Sequence, residues 1–194
     1  MKQRGTLAAL ILAVLPQRAV AHDAFGDLGP FYQTFLHPLA DPMQALLVVA
    51  AAVVLAVQPI ASVRVAFPAL AIGAGLALVA RMVLPVPEPG PALVALMVIG
   101  AAAVGVLCLR PGPVATGLLA MALGSAAALP IDLAKGGALA ATLTLAGGAA
   151  GVGFATLFFW GALDLASRRI SPLAPRVAGA WLAAIGMMMA ALPA

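Results

Sequence analysis

The residues best able to bind a metal ion are concentrated in one short part of the sequence, just before its first long apolar run. His37, Asp41 and Met43 place an imidazole, a carboxylate and a thioether close together. A second pair, His22 and Asp23, precedes them. Imidazole nitrogen suits nickel, copper and zinc, whereas carboxylate oxygen accepts most divalent ions. These donor types indicate a site for a divalent transition metal, with Met43 as the softest ligand.

The spacing of His37 and Asp41 allows two interpretations. Residues four apart on an α-helix lie on one face, so the pair would converge on one ion. Pro38 and Pro42 disfavour that geometry, because each proline displaces the residue before it from the helical region. The alternative makes His37 a capping or interfacial residue bonded to a carbonyl or to Asp41. Met43 would then be a packing residue of the next helix.

The rest of the chain must supply the scaffold that holds these donors. Of its 194 residues, 64% are hydrophobic and 8% are charged, and the mean hydropathy is +1.15. Soluble domains are about half apolar and about one quarter charged. The apolar excess predicts an integral membrane protein whose main partner is the lipid bilayer.

Charge and motif content exclude several classes of function. Without Lys2, Arg4 and Arg18, which lie in an N-terminal leader, seven basic residues face six acidic ones, a net charge of +1. This balance gives no basis for nucleic-acid binding. No hydrolase, zinc-peptidase or nucleotide-binding motif occurs, and the apolar runs hold only scattered serine and threonine. The sequence predicts neither an enzyme nor a protein with a prosthetic group.

Residues 1–21 have the pattern of a cleavable signal peptide. A positively charged start precedes an apolar core, and Ala19-Val20-Ala21 supplies the small residues of a cleavage site. Cleavage there would leave His22-Asp23 at a mature N-terminus outside the cytoplasm, where its free amine and imidazole suit nickel or copper. The alternative is an uncleaved anchor helix.

The mature chain divides into one polar segment and a long apolar part. Within residues 22–42, four apolar side chains on one helical face predict a short helix at the membrane interface. Six apolar runs follow within residues 43–194, although two fall slightly short of the about 17 residues that a spanning helix needs. The runs are residues 43–57, 65–84, 92–109, 114–129, 136–163 and 177–194. The predicted fold is all-α, a multi-pass bundle of about six transmembrane helices after the signal peptide.

Basic residues are distributed unevenly between the two sides of this predicted bundle. Five arginines fall on connections of one side: Arg64, Arg110, Arg168, Arg169 and Arg176. The other side holds Lys135, with Arg81 near it. Because cytoplasmic loops are enriched in basic residues, this asymmetry predicts a bacterial inner-membrane protein with a periplasmic mature N-terminus.

Gly147 and Gly151 form a small-xxx-small motif, which allows two helix backbones to approach closely. The motif would serve either a homo-oligomer or packing inside one bundle, and the compact succession of helices favours internal packing.

The order of these features resembles the HupE/UreJ family of hydrogenase and urease accessory membrane proteins, regarded as nickel or cobalt permeases. The resemblance rests on a signal peptide ending before a histidine, on Phe35-Leu36-His37-Pro38-Leu39, and on the last helix over Pro175–Gly186. It implies six short helices rich in glycine and alanine, and a transported nickel or cobalt ion. His37 would be a ligand at the outer mouth, Asp41 would compensate charge, and His22-Asp23 would capture the ion.

The sequence departs from that family at several motif positions. Of the family's first-helix motif, His-Pro-x-x-Gly-x-Asp-His, only the opening matches, at His37-Pro38. Asp41 stands at the glycine, Met43 at the aspartate and Gln44 at the second histidine. A later family motif, His-Gly-x-x-His-Gly, has no counterpart in residues 124–129. Two functions therefore stay open: a divalent-metal permease, or a degenerate, non-transporting member that is a structural subunit of a larger membrane complex.

Overall fold

A computed structural model of the chain describes residues 28–133 and 137–191, and every regular element in these ranges is helical. Residues 1–27, with the predicted signal peptide, His22 and Asp23, lie outside them. The helices are α1 (Gly29–Ala40), α2 (Pro42–Ala56), α3 (Ile60–Val83), α4 (Pro91–Leu107), α5 (Pro113–Ala128), α6 (Ala138–Arg169) and α7 (Ala174–Ala191). The all-α prediction is confirmed for this part of the chain.

Fewer of these helices qualify as membrane spans than the sequence predicted. Among the described residues, α3, α6 and α7 are long and apolar enough to cross a membrane, and the bent pair of α1 and α2 would make a fourth span. α4 and α5 are apolar but have only 17 and 16 residues. Both are bounded by local signals: each starts with a proline, and α4 ends at Cys108, whose backbone is left-handed. Three or four candidate spans thus stand against a predicted count of about six.

α2 lies at the centre of the bundle. It contacts α1, α4, α5, α6 and α7, and its residues from Ala50 to Leu55 are all buried. A helix that is apolar on every face is stable where other elements surround it. Gln44, in the first turn of α2, is fully buried as well, while Pro42 beside it in the same turn is exposed.

The connections α2–α3, α4–α5 and α6–α7 meet at one end of the bundle. The Gln58 side-chain amide donates to the Leu109 carbonyl oxygen at 2.9 Å. The Thr116 hydroxyl, which donates to the Gly112 carbonyl oxygen at 2.7 Å, lies 3.4 Å from the Gln58 amide oxygen. Arg176, at the start of α7, donates from Nε to Cys108 Sγ at 3.0 Å. The five arginines singled out in the sequence flank these connections, and this surface is called the arginine-rich end below.

Arg81 closes the opposite end. Its guanidinium donates to the carbonyl oxygens of Leu129 and Ile131, just after α5, and lies 3.5 Å from a Glu88 carboxylate oxygen. The end of α3 is thereby tied to the end of α5 through charge-assisted hydrogen bonds.

Glycines set the distance between α1 and α6. A Cβ atom at Gly147 would meet the Phe31 carbonyl oxygen, and one at Gly151 would meet the Phe35 carbonyl oxygen. The small-xxx-small motif therefore packs within the chain, as the sequence predicted. α1 consequently lies against the backbone of α6. Near its end His37 and Pro38 are buried, whereas Leu39 is exposed.

Candidate functional site

The candidate site lies where the chain breaks between α1 and α2. The two helices are bent by 75° at Asp41, whose backbone is extended (φ −90°, ψ 120°). Pro42 explains the extended residue, because its ring disfavours a helical conformation immediately before it. Pro42 also has no N–H group, so it cannot donate the usual helical bond to the carbonyl oxygen of Pro38. The break thus interrupts the helical hydrogen bonding at this point.

His37 and Gln44 meet across this break. The His37 Nδ1 and Gln44 Nε2 atoms are 2.8 Å apart. His37 is 9% exposed and Gln44 is fully buried. A hydrogen bond in such low-dielectric surroundings is stronger than one in water, and its partners are costly to separate. The break therefore holds a buried imidazole oriented by a buried amide.

Two further buried oxygen atoms have no hydrogen-bond partner within the described part of the chain. They are Oε1 of Gln44 and Oγ1 of Thr156, and both residues are fully buried. Leaving such a group unsatisfied costs about 1–3 kcal/mol. Each oxygen is therefore a candidate acceptor for water or a cation.

The packing of α1 on α6 determines where the break lies along the length of α6. Phe31 meets Gly147, and one turn further along both helices Phe35 meets Gly151. Another turn in the same direction brings the end of α1 level with Thr156. Thr156 is the nineteenth of the 32 residues of α6, so the break lies near the middle of that helix.

The structure brings together only part of the predicted donor set. Asp41 lies outside α1 in an extended conformation, so it does not share a helical face with His37. Its carboxylate instead accepts a hydrogen bond from the Gln44 backbone N–H at 2.8 Å and caps α2. Met43 is partly buried and packs against the apolar core. His22 and Asp23, as noted, lie outside the described residues.

Two residues of the site were not predicted from the sequence. Gln44 was one of the available donors and a departure from the family motif but was not among the predicted ligands, and Thr156 was not singled out. The signal for Gln44 was available, since it is a lone amide in an otherwise apolar helix. Nothing local distinguishes Thr156 from the other threonines of α6. Within the described ranges, no group of three or more His, Cys, Asp or Glu side chains could hold a metal ion.

Fold and site together define a class: an all-helical protein with three or four helices able to span a membrane and a buried imidazole–amide pair at a helix break. No protein-family model, curated protein or solved structure matches the chain. The geometry of the site is therefore the main support for any function proposed for it.

The role of Asp41 as a cap can be separated from a role for its charge. Asp41→Ala should lower the free energy of unfolding by about 1 kcal/mol, because the Gln44 N–H loses its partner at the start of α2. Asp41→Asn should stay within about 0.3 kcal/mol of the wild type, because asparagine caps a helix about as well. Denaturant unfolding in mixed micelles, followed by circular dichroism, measures both. Equal losses in the two variants would show that the negative charge is what stabilises this segment.

Proposed function

We propose that the chain is a multi-pass permease of a bacterial inner membrane that takes up a divalent transition metal, nickel or cobalt, as HupE/UreJ-like proteins are thought to do. The buried His37–Gln44 pair at the break between α1 and α2 carries this proposal. Transporters bind ions at broken helices near the middle of the membrane, where interrupted backbone and helix ends face a cavity. A buried imidazole at such a break suits a transition metal better than an alkali ion.

Gln44 selects the tautomer of His37 in this proposal. Coordination through Nε2 requires the ring proton to reside on Nδ1, and that N–H must then donate to an oxygen. A half-turn of the Gln44 side-chain amide presents Oε1, which otherwise has no partner among the described residues, to Nδ1. Outer partners of this kind orient a ligand histidine and raise its basicity. Gln44 is thus a positioning residue, and His37 is the ligand.

Neutral oxygen atoms complete the proposed binding step. The Pro38 carbonyl belongs to the last turn before the break, and the register of α1 on α6 brings Thr156 level with it. One imidazole with neutral oxygens binds a divalent ion weakly, which suits permeation because a transported ion must also leave. Within this scheme Asp41 offsets part of the ionic charge, and Met43 adds a soft donor at the start of α2.

The proposed orientation follows from the arginine-rich end, which would face the cytoplasm. The mature N-terminus, with His22-Asp23 as a capture site, would then lie in the periplasm. α4 and α5, extended by their flanking residues, would complete six crossings of the membrane.

The small number of donors favours a second candidate, a non-transporting subunit of a larger membrane complex. The described residues offer one imidazole at the break and no cluster of three or more His, Cys, Asp or Glu side chains that could hold a metal ion. A permease that binds its ion tightly would have more metal-binding side chains at its site. A subunit would instead use its exposed apolar helix faces to pack against another membrane protein.

Uptake by proteoliposomes separates the two candidates. Nickel, cobalt, copper and zinc are offered singly to vesicles containing the purified protein, and metal retained after washing is measured by mass spectrometry. We expect nickel or cobalt to accumulate well above the level in empty vesicles. If none of the four metals does so, the permease proposal is wrong. Recovery of a stable membrane-protein partner in mild detergent would then support the subunit, and recovery of the chain alone would reject it.

A further inference from the structure

A polar cavity of about 300 Å³ opens at the arginine-rich end, among the ends of α2, α4 and α6 and the start of α7. Its polar lining comes from Gln58, Cys108, Arg110, Ser167 and Arg176. Both charged residues of the lining are arginines. The cavity therefore combines a concentrated positive charge with neutral hydrogen-bonding groups, which is the lining that a phosphate group requires.

The charge of the cavity is not neutralised by the described part of the chain. Asp164, the acidic residue of α6 at this end, pairs with Arg168 at 3.0 Å, and no described carboxylate pairs with Arg110 or Arg176. Arg176 donates from Nε to Cys108 Sγ, which fixes the guanidinium plane at the cavity wall. The N–H groups on its two terminal nitrogens remain available for an anion.

The position of Arg176 in α7 adds a second electrostatic argument. It lies in the first turn of α7, where the helix dipole is positive, and this turn contains no acidic residue. A cation there is unfavourable, whereas an anion at the same place is stabilised by both the dipole and the guanidinium. An anionic ligand would therefore relieve a repulsion that the described chain leaves uncompensated.

An apolar groove of about 520 Å³ lies between α2 and α7, next to the cavity along α7. Pro175 lines the cavity and Ala178, one turn further along α7, lines the groove. On α2, Ala56 lines the cavity and Val49, two turns nearer the start of the helix, lines the groove. Along α7 the groove runs from Ala178 to Ile185, a rise of about 10 Å. This length fits within the about 15 Å that one leaflet contributes to the about 30 Å hydrocarbon core of a bilayer.

We propose that these two adjoining spaces bind one anionic phospholipid, with its phosphate between Arg110 and Arg176 and one acyl chain in the α2–α7 groove. Basic pockets between membrane helices are known recognition sites for anionic head groups. Free phosphate would match the cavity but would leave the groove unexplained, whereas a phospholipid accounts for both. The head-group cavity is separate from the helix break, whereas the far end of the groove reaches Pro42 at the break. The proposal does not depend on metal transport.

Trp181 lines the groove and is one of two tryptophans in the chain, so it can report on the bound acyl chain. A Trp160→Phe background leaves Trp181 as the single fluorophore. The protein is reconstituted into phosphatidylcholine vesicles containing a small fraction of phosphatidylglycerol, with bromine on the acyl chains of one lipid or the other. We expect brominated phosphatidylglycerol to reach half-maximal quenching at a mole fraction about 5- to 30-fold lower than brominated phosphatidylcholine does. Each arginine should raise the relative affinity for the anionic lipid by a factor of about five.

Charge-matched variants locate the head group. Arg110→Gln with Arg176→Gln should abolish the preference, whereas Arg64→Gln with Arg169→Gln, at the same end but outside the cavity lining, should retain it. If the cavity double variant does not fold, Arg110→Gln alone must reduce the preference about fivefold.

Four results would overturn the proposal. They are equal quenching by both lipids in the parent protein, a preference that survives loss of both cavity arginines, equal loss in the control variant, and abolition of the preference by excess inorganic phosphate. The last would identify a site for free phosphate.

Discussion

Gly151→Ala is expected to lower the free energy of unfolding by about 3 kcal/mol, because the added methyl group would meet the backbone of Phe35 in α1. Backbone atoms cannot rotate away as the end of a flexible side chain can, so α1 must move off α6. Overpacking a closely packed interior costs about 1–3 kcal/mol. We expect the upper end of that range here, since the contact is made to the carbonyl oxygen and the Cα atom together. Denaturant unfolding in mixed micelles measures the loss.

Gly153→Ala provides the matched control in the same helix. A Cβ atom at this position would meet nothing within 4 Å. Because alanine favours the helix over glycine by about 1 kcal/mol, this variant should be as stable as the wild type or more stable. Equal destabilisation by both substitutions would show that the contact between α1 and α6 is not the cause. An unchanged Gly151→Ala variant would show that α1 does not pack on this face.

The helices of this protein could be predicted because their signals are local. Long apolar runs mark their interiors, and prolines mark the starts of α2, α4 and α5. Pro42 also pointed to the break at Asp41, whereas Pro38 predicted a break at His37 and α1 instead continues through it. The arrangement of the helices could not be predicted in the same way. In a membrane, surfaces that face lipid and surfaces that face protein are both apolar, so the pattern does not identify α2 as the central helix.

Only part of the site could be predicted from the sequence, because its contacts also depend on how the helices are arranged. His37 is conspicuous because only two histidines occur in the chain. Its contact with Gln44 depends on a 75° bend whose size no local pattern specifies. Thr156 lies level with the break because Gly147 and Gly151 determine how α1 lies along α6. These glycines come more than a hundred residues after His37 in the chain. Such long-range register is determined by close packing of backbones, which a single sequence does not display.

His37→Ala is expected to abolish nickel or cobalt uptake, because it removes the only imidazole at the helix break in the described part of the chain. His37→Gln is the more informative variant. Its amide can still hydrogen-bond Gln44, which preserves the buried contact, but it lacks the ring nitrogen that a transition metal prefers. We therefore expect a folded protein with uptake at the level of empty vesicles. Initial uptake rates and unfolding in mixed micelles are measured on the same preparations.

Substitutions of Gln44 test whether the His37–Gln44 pair orients a metal ligand or only packs in the interior. Gln44→Leu fills nearly the same volume but cannot accept the Nδ1–H of His37, so uptake should fall about 10- to 100-fold, the usual effect of losing an outer partner. Gln44→His restores a hydrogen-bonding group and reproduces the family motif at this position, so uptake should recover to within about threefold of the wild type. A purely structural pair would show losses of stability that parallel the losses of uptake in both variants. Normal transport by a folded His37→Gln protein would remove His37 from the ion pathway, and with it the permease mechanism proposed for this bundle.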